Sequence, residues 1–147
     1  MIVTDESLLR LPCEDVLPEE VDSLREQLEG ELGRLQKIRP GIGLAAPQIG
    51  IQKKMAIIRL VSGVTQYKLD LVNCRVEHGY DSRIVKAEGC LSFPNTYIDT
   101  IRFNEVYVTG NLVAPQAFIA TGMLAVACQH ELDHLYGKLI VDFKKGI

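Results

Sequence analysis

The sequence is poor in tryptophan, histidine and cysteine. It contains no tryptophan, only three histidines and only four cysteines among its 147 residues. No C-x-x-C pair is present, so the cysteine spacing favours neither a zinc knuckle nor a redox dithiol. We expect reduced thiols, and we expect Cys13, Cys74 and Cys128 to pack as small buried side chains.

Long apolar runs are also missing. The longest spans residues 123–128, far short of the roughly 20 residues that a membrane-spanning helix needs. The acidic first residues give no sign of a secretory signal. Sixteen basic against nineteen acidic residues give a net charge of −3, which is atypical of nucleic-acid-binding modules. We therefore expect a cytoplasmic protein with one domain over residues 1–147 and no membrane or nucleic-acid partner.

Apolar periodicity predicts two helices. The first begins after Pro18 and carries one apolar stripe at three- and four-residue steps. The stripe consists of Val21, Leu24, Leu28, Leu32, Leu35 and Ile38. The second begins near Thr121, carries two histidines on its apolar face, and has Gly137 as a suitable C-cap.

The sequence between the predicted helices is rich in strand-forming residues. Turn residues at 79–81 and 94–95 interrupt it. The predicted strands are residues 55–60, 66–72, 74–78, 83–87, 106–112 and 116–120, with a last short strand at 139–143. This order indicates an α+β fold, with mostly antiparallel sheets around the central second helix and with an N-terminal helix.

The strongest local signal is H-E-L-D-H at residues 130–134. Residues four apart on a helix project to one side, so His130 and His134 can bind one metal ion. Glu131 would lie close enough to exchange a proton with metal-bound water. The alternative is a pair of ordinary helix histidines, but two imidazoles on an apolar face need other polar partners.

A catalytic metal site needs a third protein ligand and an open position. Only 13 residues follow His134, and they contain neither histidine nor glutamate. We therefore expect the third ligand upstream, where His78 and Cys90 are candidates. A thiolate with two imidazoles suits Zn(II) or Fe(II).

A third segment, G-I-G-L-A-A-P-Q at residues 41–48, combines small residues with one amide side chain. It lacks the Gly-Lys-Ser/Thr of a phosphate-binding loop. The segment therefore has two possible interpretations: a loop whose backbone lies close to a ligand, or a plain turn-rich linker.

Together these segments resemble the peptide deformylase family, which is marked by G-x-G-L-A-A-x-Q, E-G-C-L-S and H-E-x-D-H in that order. All three are complete here, at residues 41–48, 88–92 and 130–134, and the resemblance covers about residues 1–143. It implies a metal-dependent hydrolase that removes the N-formyl group from the formylmethionine of newly made polypeptides and releases formate.

The resemblance also implies the metal site and its chemistry. Cys90, His130 and His134 would bind one ion per chain, with Fe(II) as the natural metal and Zn(II) or Ni(II) able to replace it. A metal-bound water would be the nucleophile, and Glu131 would be the general acid and base.

Further roles follow from the same resemblance. The side-chain amide of Gln48 and the backbone N–H of Leu91 would stabilise the oxyanion. The substrate would lie as an extended strand against Ile42, Gly43 and Gly89, because backbone pairing accepts many peptide sequences.

The residues expected in the methionine pocket and in the polar cluster behind the metal ligands each have an alternative interpretation. We expect Val126 and Ala127 to form a wall of the methionine pocket, or else to be plain core residues. Glu88, Arg102 and Asp133 resemble the buried polar cluster that orients the ligands in the family. For Arg102 the alternative is one more solvated surface base.

The sequence departs from the family pattern at two places. Asn95 stands where many members have glycine. The sequence also ends 13 residues after His134, where bacterial members continue into a helix that helps them dock on the ribosome. This short form is similar to bacteriophage members, so a contact with the ribosome exit region would not use that helix. We expect nascent formylmethionyl peptides as partners in a bacterial cytosol.

Two other functions share the H-E-x-x-H pattern. A zincin-type metalloprotease would need a downstream ligand and would leave Cys90 and Gln48 without a role. A non-catalytic metal-binding or redox-sensing module would leave Glu131 and Gln48 without a role.

Overall fold

The computed structural model describes residues 2–145. Its helices are α1 (Glu6–Leu9), α2 (Val21–Gln36) and α3 (Gly122–Leu135). Its strands are β1 (Gly43–Ala45), β2 (Met55–Ser62), β3 (Thr65–Val72), β4 (Arg75–Cys90), β5 (Phe93–Thr109) and β6 (Phe118–Thr121). Short 3-10 helices span Pro18–Glu20, Ala46–Ile49 and Ile140–Lys145.

The strands form two antiparallel three-stranded sheets, in the orders β1-β2-β3 and β4-β5-β6. Helix α3 contacts β1 and β2 of the first sheet and β5 and β6 of the second. The expected α+β architecture, with a central helix and an N-terminal helix, is therefore confirmed. No helix within residues 2–145 is both long and apolar enough to cross a membrane.

Helix α2 forms where the periodicity predicts it, directly after the 3-10 turn that begins at Pro18. The apolar stripe from Val21 to Leu35 is buried and packs against residues of the first sheet, including Leu44 and Ile57. Ile38, the last member of the predicted stripe, is 71% exposed because the helix has already ended at Gln36.

The first sheet also follows the prediction. Strands β2 and β3 cover the predicted runs 55–60 and 66–72 and pair in register from Met55–Val72 to Ser62–Thr65. Alternating apolar residues on these strands contribute to the core between the first sheet and α3.

The long hairpin of β4 and β5 differs from the prediction. The predicted break at residues 79–81 is wrong, because Gly79 pairs with Val106 and Tyr80 pairs with Glu105 within a continuous strand. Asp81 adopts φ +60° inside β4, and pairing continues on both sides of it, because Ser82 pairs with Phe103. The predicted short strands at 74–78 and 83–87 are therefore parts of one strand.

The tip of this hairpin brings the second sheet to the helix. Only Leu91 and Ser92 lie between the two strands, and Cys90 pairs with Phe93 across the turn. The E-G-C-L-S motif thus ends one strand and forms the turn.

The predicted last strand at residues 139–143 is wrong. Gly137 adopts φ +74° after α3, and the chain then forms the 3-10 helix Ile140–Lys145. The Asp142 carboxylate accepts a hydrogen bond from the Leu139 N–H at 3.0 Å, which caps this helix locally without any strand partner. The prediction of one domain over residues 1–147 includes Met1, Gly146 and Ile147, which lie outside the described residues.

Candidate metal centre

Three side chains that the sequence singles out converge at the end of β4. The donor atoms of Cys90, His130 and His134 all lie within 4.8 Å of one another. Cys90 Sγ is 3.4 Å from His134 Nε2, and the two imidazole rings have centroids 5.1 Å apart. The i, i+4 spacing on α3 supplies the two histidines, and the hairpin tip supplies the thiol.

The chemistry of this donor set fits a divalent transition metal. One thiolate and two neutral imidazoles are ligands that Zn(II) and Fe(II) both accept. His130 Nδ1 is bonded to a carboxylate, which leaves its Nε2 to face an ion. His78, the other candidate for third ligand, is exposed on β4 and is not part of the cluster.

A buried ion-pair cluster lies behind His130. The Glu88 carboxylate is 2.6 Å from His130 Nδ1 and accepts two hydrogen bonds from the Arg102 guanidinium, at 3.0 and 2.6 Å. Arg102 also donates to Asp133 at 2.6 Å. Arg102 is only 3% exposed, so the alternative of a solvated surface base is wrong.

The pKa of Glu88 shows how strongly this cluster favours the carboxylate. Burial alone would raise that pKa, but the hydrogen bonds from His130 and Arg102 outweigh burial and lower it to about 2. Glu88 therefore stays ionised at any pH relevant to the site and can hold the His130 ring in one orientation.

Glu131 has the opposite electrostatic environment. It is 3% exposed, and its Oε1 has no hydrogen-bond partner among residues 2–145. Burial, the largest cause, raises the pKa of this carboxyl group to about 7. A β-carbon at Gly43 would lie 2.7 Å from Glu131 Oε2, so only glycine leaves room for the carboxylate.

Gln48 is held beside the hairpin tip by the 3-10 helix Ala46–Ile49. Its Oε1 accepts a hydrogen bond from the Ala45 N–H at 3.0 Å, which fixes the orientation of the amide. Its Nε2 donates to Ser92 Oγ at 3.0 Å and lies 3.6 Å from Cys90 Sγ. The amide nitrogen therefore faces the cluster of donor atoms.

A cavity of about 420 Å³ opens beside these groups. Every residue that the resemblance suggests for substrate binding lines it, namely Ile42, Gly43, Gly89, Val126 and Ala127. Ala127 lines the cavity and also belongs to a core cluster, so it is both a cavity-wall residue and a core residue.

Sequence patterns miss several residues of the cavity rim. Arg39, Tyr97 and Met123 line the cavity, and the Arg39 guanidinium donates to the carbonyl of Leu91. Tyr97 lies on the part of β5 that the sequence does not predict. Asn95 adopts φ +61°, the left-handed conformation that explains why glycine is common at this position of the family.

Comparison with known proteins gives one consistent result. The family model described as polypeptide deformylase matches residues 1–146. The peptide deformylase of Microchaete diplosiphon is 36% identical over 138 residues, which are 92% of this chain and 73% of that protein. Peptide deformylase 1 of Bacillus subtilis (strain 168) is 46% identical over 103 residues, which are 67% of this chain and 61% of that protein.

Solved structures resemble the fold over nearly the whole chain. A peptide deformylase from Legionella pneumophila superposes with a TM-score of 0.82 and 32% identity, covering 97% of this chain and 83% of that one. A probable peptide deformylase from synechococcus phage S-SSM7 gives a TM-score of 0.83 and 30% identity, covering 97% of this chain and 98% of that one.

Proposed function

Because this chain belongs to the polypeptide deformylase family, we propose that it removes the formyl group from N-formylmethionyl peptides and releases formate. The family consists of metal-dependent enzymes that act on nascent peptides, and this chain is an enzyme of that kind. One observation carries the finer proposal: the buried Glu131 carboxyl, whose Oε1 has no hydrogen-bond partner within residues 2–145, lies on the same helix as two of the three clustered donor residues.

We propose that Cys90, His130 and His134 hold one divalent cation per chain. Fe(II) is the metal proposed for the cell, and Zn(II) or Ni(II) could take its place because the same donor set accepts all three. When bound, the cation supplies the Lewis acidity that lowers the pKa of water towards ~7. The buried His134 Nδ1 has no partner among residues 2–145, so the ring's polar contact is that of Nε2 with Cys90 Sγ, the side on which a cation would bind.

Glu131 moves the proton in the proposed reaction. Its carboxylate takes a proton from water as the water oxygen bonds to the formyl carbon, and it later gives a proton to the departing amine nitrogen. The C–N bond breaks, and formate and a free methionyl N-terminus are the products. Burial raises the pKa of this carboxyl to about 7 in the metal-free site, and a group whose pKa lies near the working pH accepts and releases a proton readily.

Two donors face the oxyanion that forms on the formyl group. Gln48 Nε2 carries two N–H groups, of which one donates to Ser92 Oγ at 3.0 Å and the other is directed at Cys90 Sγ, 3.6 Å away. The second N–H therefore lies on the side of the metal ligands, and it is the one proposed to bind the oxyanion. The backbone N–H of Leu91, in the turn of the β4–β5 hairpin, is the second proposed donor. Such preorganised donors typically contribute about 10²–10³ in rate each.

The cavity walls account for the proposed substrate. Ile42, Gly43 and Gly89 present backbone groups to an extended peptide, which suits an enzyme that must accept many N-terminal sequences. Val126 and Ala127 present apolar surface one turn before His130, and we propose them as the wall that contacts the methionine side chain.

Paired variants test these roles. Glu131→Gln should still bind one metal ion per chain but should lose formate release, because the amide cannot carry the proton. Cys90→Ser should instead weaken metal binding, because it removes the thiolate. Metal content per chain and formate release, both measured on purified protein, distinguish the two effects. Full activity of Glu131→Gln would show that the proton-transfer assignment is wrong.

A further inference from the structure

The last 3-10 helix, Ile140–Lys145, lies against the buried ion-pair cluster of the metal site. The Phe143 ring centroid is 5.0 Å from Arg102 Cζ, a distance at which a guanidinium is attracted to an aromatic face. The Arg102 nitrogens donate to Glu88 and Asp133. Glu88 and Asp133 therefore bind the nitrogens of the guanidinium, and the Phe143 ring packs against the same guanidinium.

The contact between Phe143 and Arg102 is two steps from a proposed metal ligand. Arg102 binds both oxygens of Glu88, and one of those oxygens, Oε2, is also 2.6 Å from His130 Nδ1. Because the three groups share one carboxylate, a shift of Arg102 changes where Glu88 holds the imidazole. Groups in this position behind a ligand typically affect metal affinity by about 10- to 100-fold.

An ion pair with α1 holds the last 3-10 helix in place. Arg10 forms a bidentate pair with Asp142, with nitrogen–oxygen distances of 2.6 and 3.1 Å, and donates to the Gly137 carbonyl at 3.0 Å. Arg10 lies at the end of α1 and makes none of the contacts of the metal site. It therefore offers a way to disturb Phe143 without changing any group near the metal.

We propose that Phe143 is a positioning residue of this enzyme, which fixes His130 through Arg102 and Glu88, and that the Arg10–Asp142 pair holds it there. The inference rests on the role of His130 as a metal ligand in the proposed function. It assigns to the last 3-10 helix a part in metal binding that no motif in the sequence indicates.

Phe143→Leu tests the proposal, because leucine keeps apolar volume but has no aromatic face. We expect the dissociation constant for Zn(II), measured by competition with a chromophoric chelator, to rise about 2- to 30-fold. In the metal-loaded enzyme kcat should fall while KM changes little. Phe143→Tyr, which keeps an aromatic ring, should have the Zn(II) dissociation constant and the kcat of the unchanged chain. Lys144→Ala, at an exposed position of the same helix, should match the unchanged chain and is the control.

A double-mutant comparison separates positioning from general stability. Arg10→Gln should weaken Zn(II) binding in the otherwise unchanged chain but should have no further effect in Phe143→Leu, because both changes act through one contact. If Phe143→Leu does not fold, Arg10→Gln alone still tests the proposal, and unchanged Zn(II) affinity in it would then overturn the proposal. Unchanged Zn(II) affinity in both single variants would overturn it. The Zn(II) titration needs no substrate, so absence of deformylase activity would contradict the proposed function without affecting this result.

Discussion

The buried carboxyl group of Glu131 has a pKa of about 7 because burial disfavours its charged form. In the unfolded chain the same group titrates near its ordinary value of 4.5. Between these two values the unfolded chain loses the proton while the folded metal-free chain keeps it. The free energy of unfolding therefore falls as pH rises from about 4.5 to about 7.

Glu131→Gln should remove this pH dependence. Raising the pKa from 4.5 to about 7 corresponds to about 3 kcal/mol. In the presence of chelator, we expect the variant to gain stability over the unchanged chain by about that amount at pH 8 and by little at pH 4. Urea unfolding at both values measures it, with Glu26→Gln on the exposed face of α2 as control. An equal difference at both pH values would mean that Glu131 is not buried as described.

Gly43 sets the space available to Glu131. Gly43→Ala would place a methyl group 2.7 Å from Glu131 Oε2, so the carboxylate must move. We expect kcat to fall by about 10²-fold, since a displacement near 1 Å costs this much in a reacting group, with metal content unchanged. Gly33→Ala is the matched control, because nothing lies within 4 Å of its added β-carbon. Wild-type turnover in Gly43→Ala would contradict the geometry.

Residues whose chemistry is tied to local spacing could be predicted from the sequence. The pair His130 and His134 follows from its i, i+4 spacing, and Glu131 follows from its place beside the first of them. The residues alone left Cys90 and His78 as candidates for the third ligand, and the motif resemblance selected Cys90. The same resemblance gave Gln48 its role. Arg39 and Tyr97 could not be predicted, because their places on the cavity rim depend on how a distant loop and hairpin pack. The sequence pattern around either residue contains no information about that packing.

At the scale of elements, Gln129 ties α3 to β5. Its side-chain amide donates to the Phe103 carbonyl at 2.8 Å and accepts from the Phe103 N–H at 2.9 Å, where β5 extends beyond β6. Gln129→Ala should lower the free energy of unfolding by about 1–3 kcal/mol, because it removes two part-buried hydrogen bonds to the backbone of Phe103. Denaturant unfolding measures this. Gln27→Ala on the exposed face of α2 should change stability little, and an equal loss in both would refute the tie.

The β4–β5 hairpin shows where local patterns fail for an element. Residues 79–81 and 94–95 have the composition of turns, yet both lie inside long strands. Asp81 and Asn95 both take left-handed backbone conformations. Pairing continues on both sides of Asp81, whereas Asn95 lies in a register shift between the pairs Cys90–Phe93 and Gly89–Tyr97. The turn-like residues stay within strands because the partner strand pairs with the chain on both sides of them, and a single-sequence pattern does not contain that information.

At the scale of the whole molecule, the two sheets meet on α3 and the polar residues gather there. Apart from Asn111, the buried polar residues among those described lie on α3, in the β4–β5 hairpin, or at Gln48 beside its tip. Buried polar groups are costly unless they are paired. The buried polar residues therefore gather at the candidate metal centre, whereas the two core clusters consist of apolar residues.

The central claim is that the site formed by Cys90, His130, His134 and Glu131 deformylates peptides. The most direct measurement is formate release from a formylmethionyl tripeptide by anaerobically prepared Fe(II)-loaded protein, compared with the same peptide carrying an acetyl group. We predict one formate per formyl peptide consumed, no release of acetate from the acetyl peptide, and loss of activity with chelator. A protein that holds one metal ion per chain but releases no formate above the Glu131→Ala variant would contradict the claim.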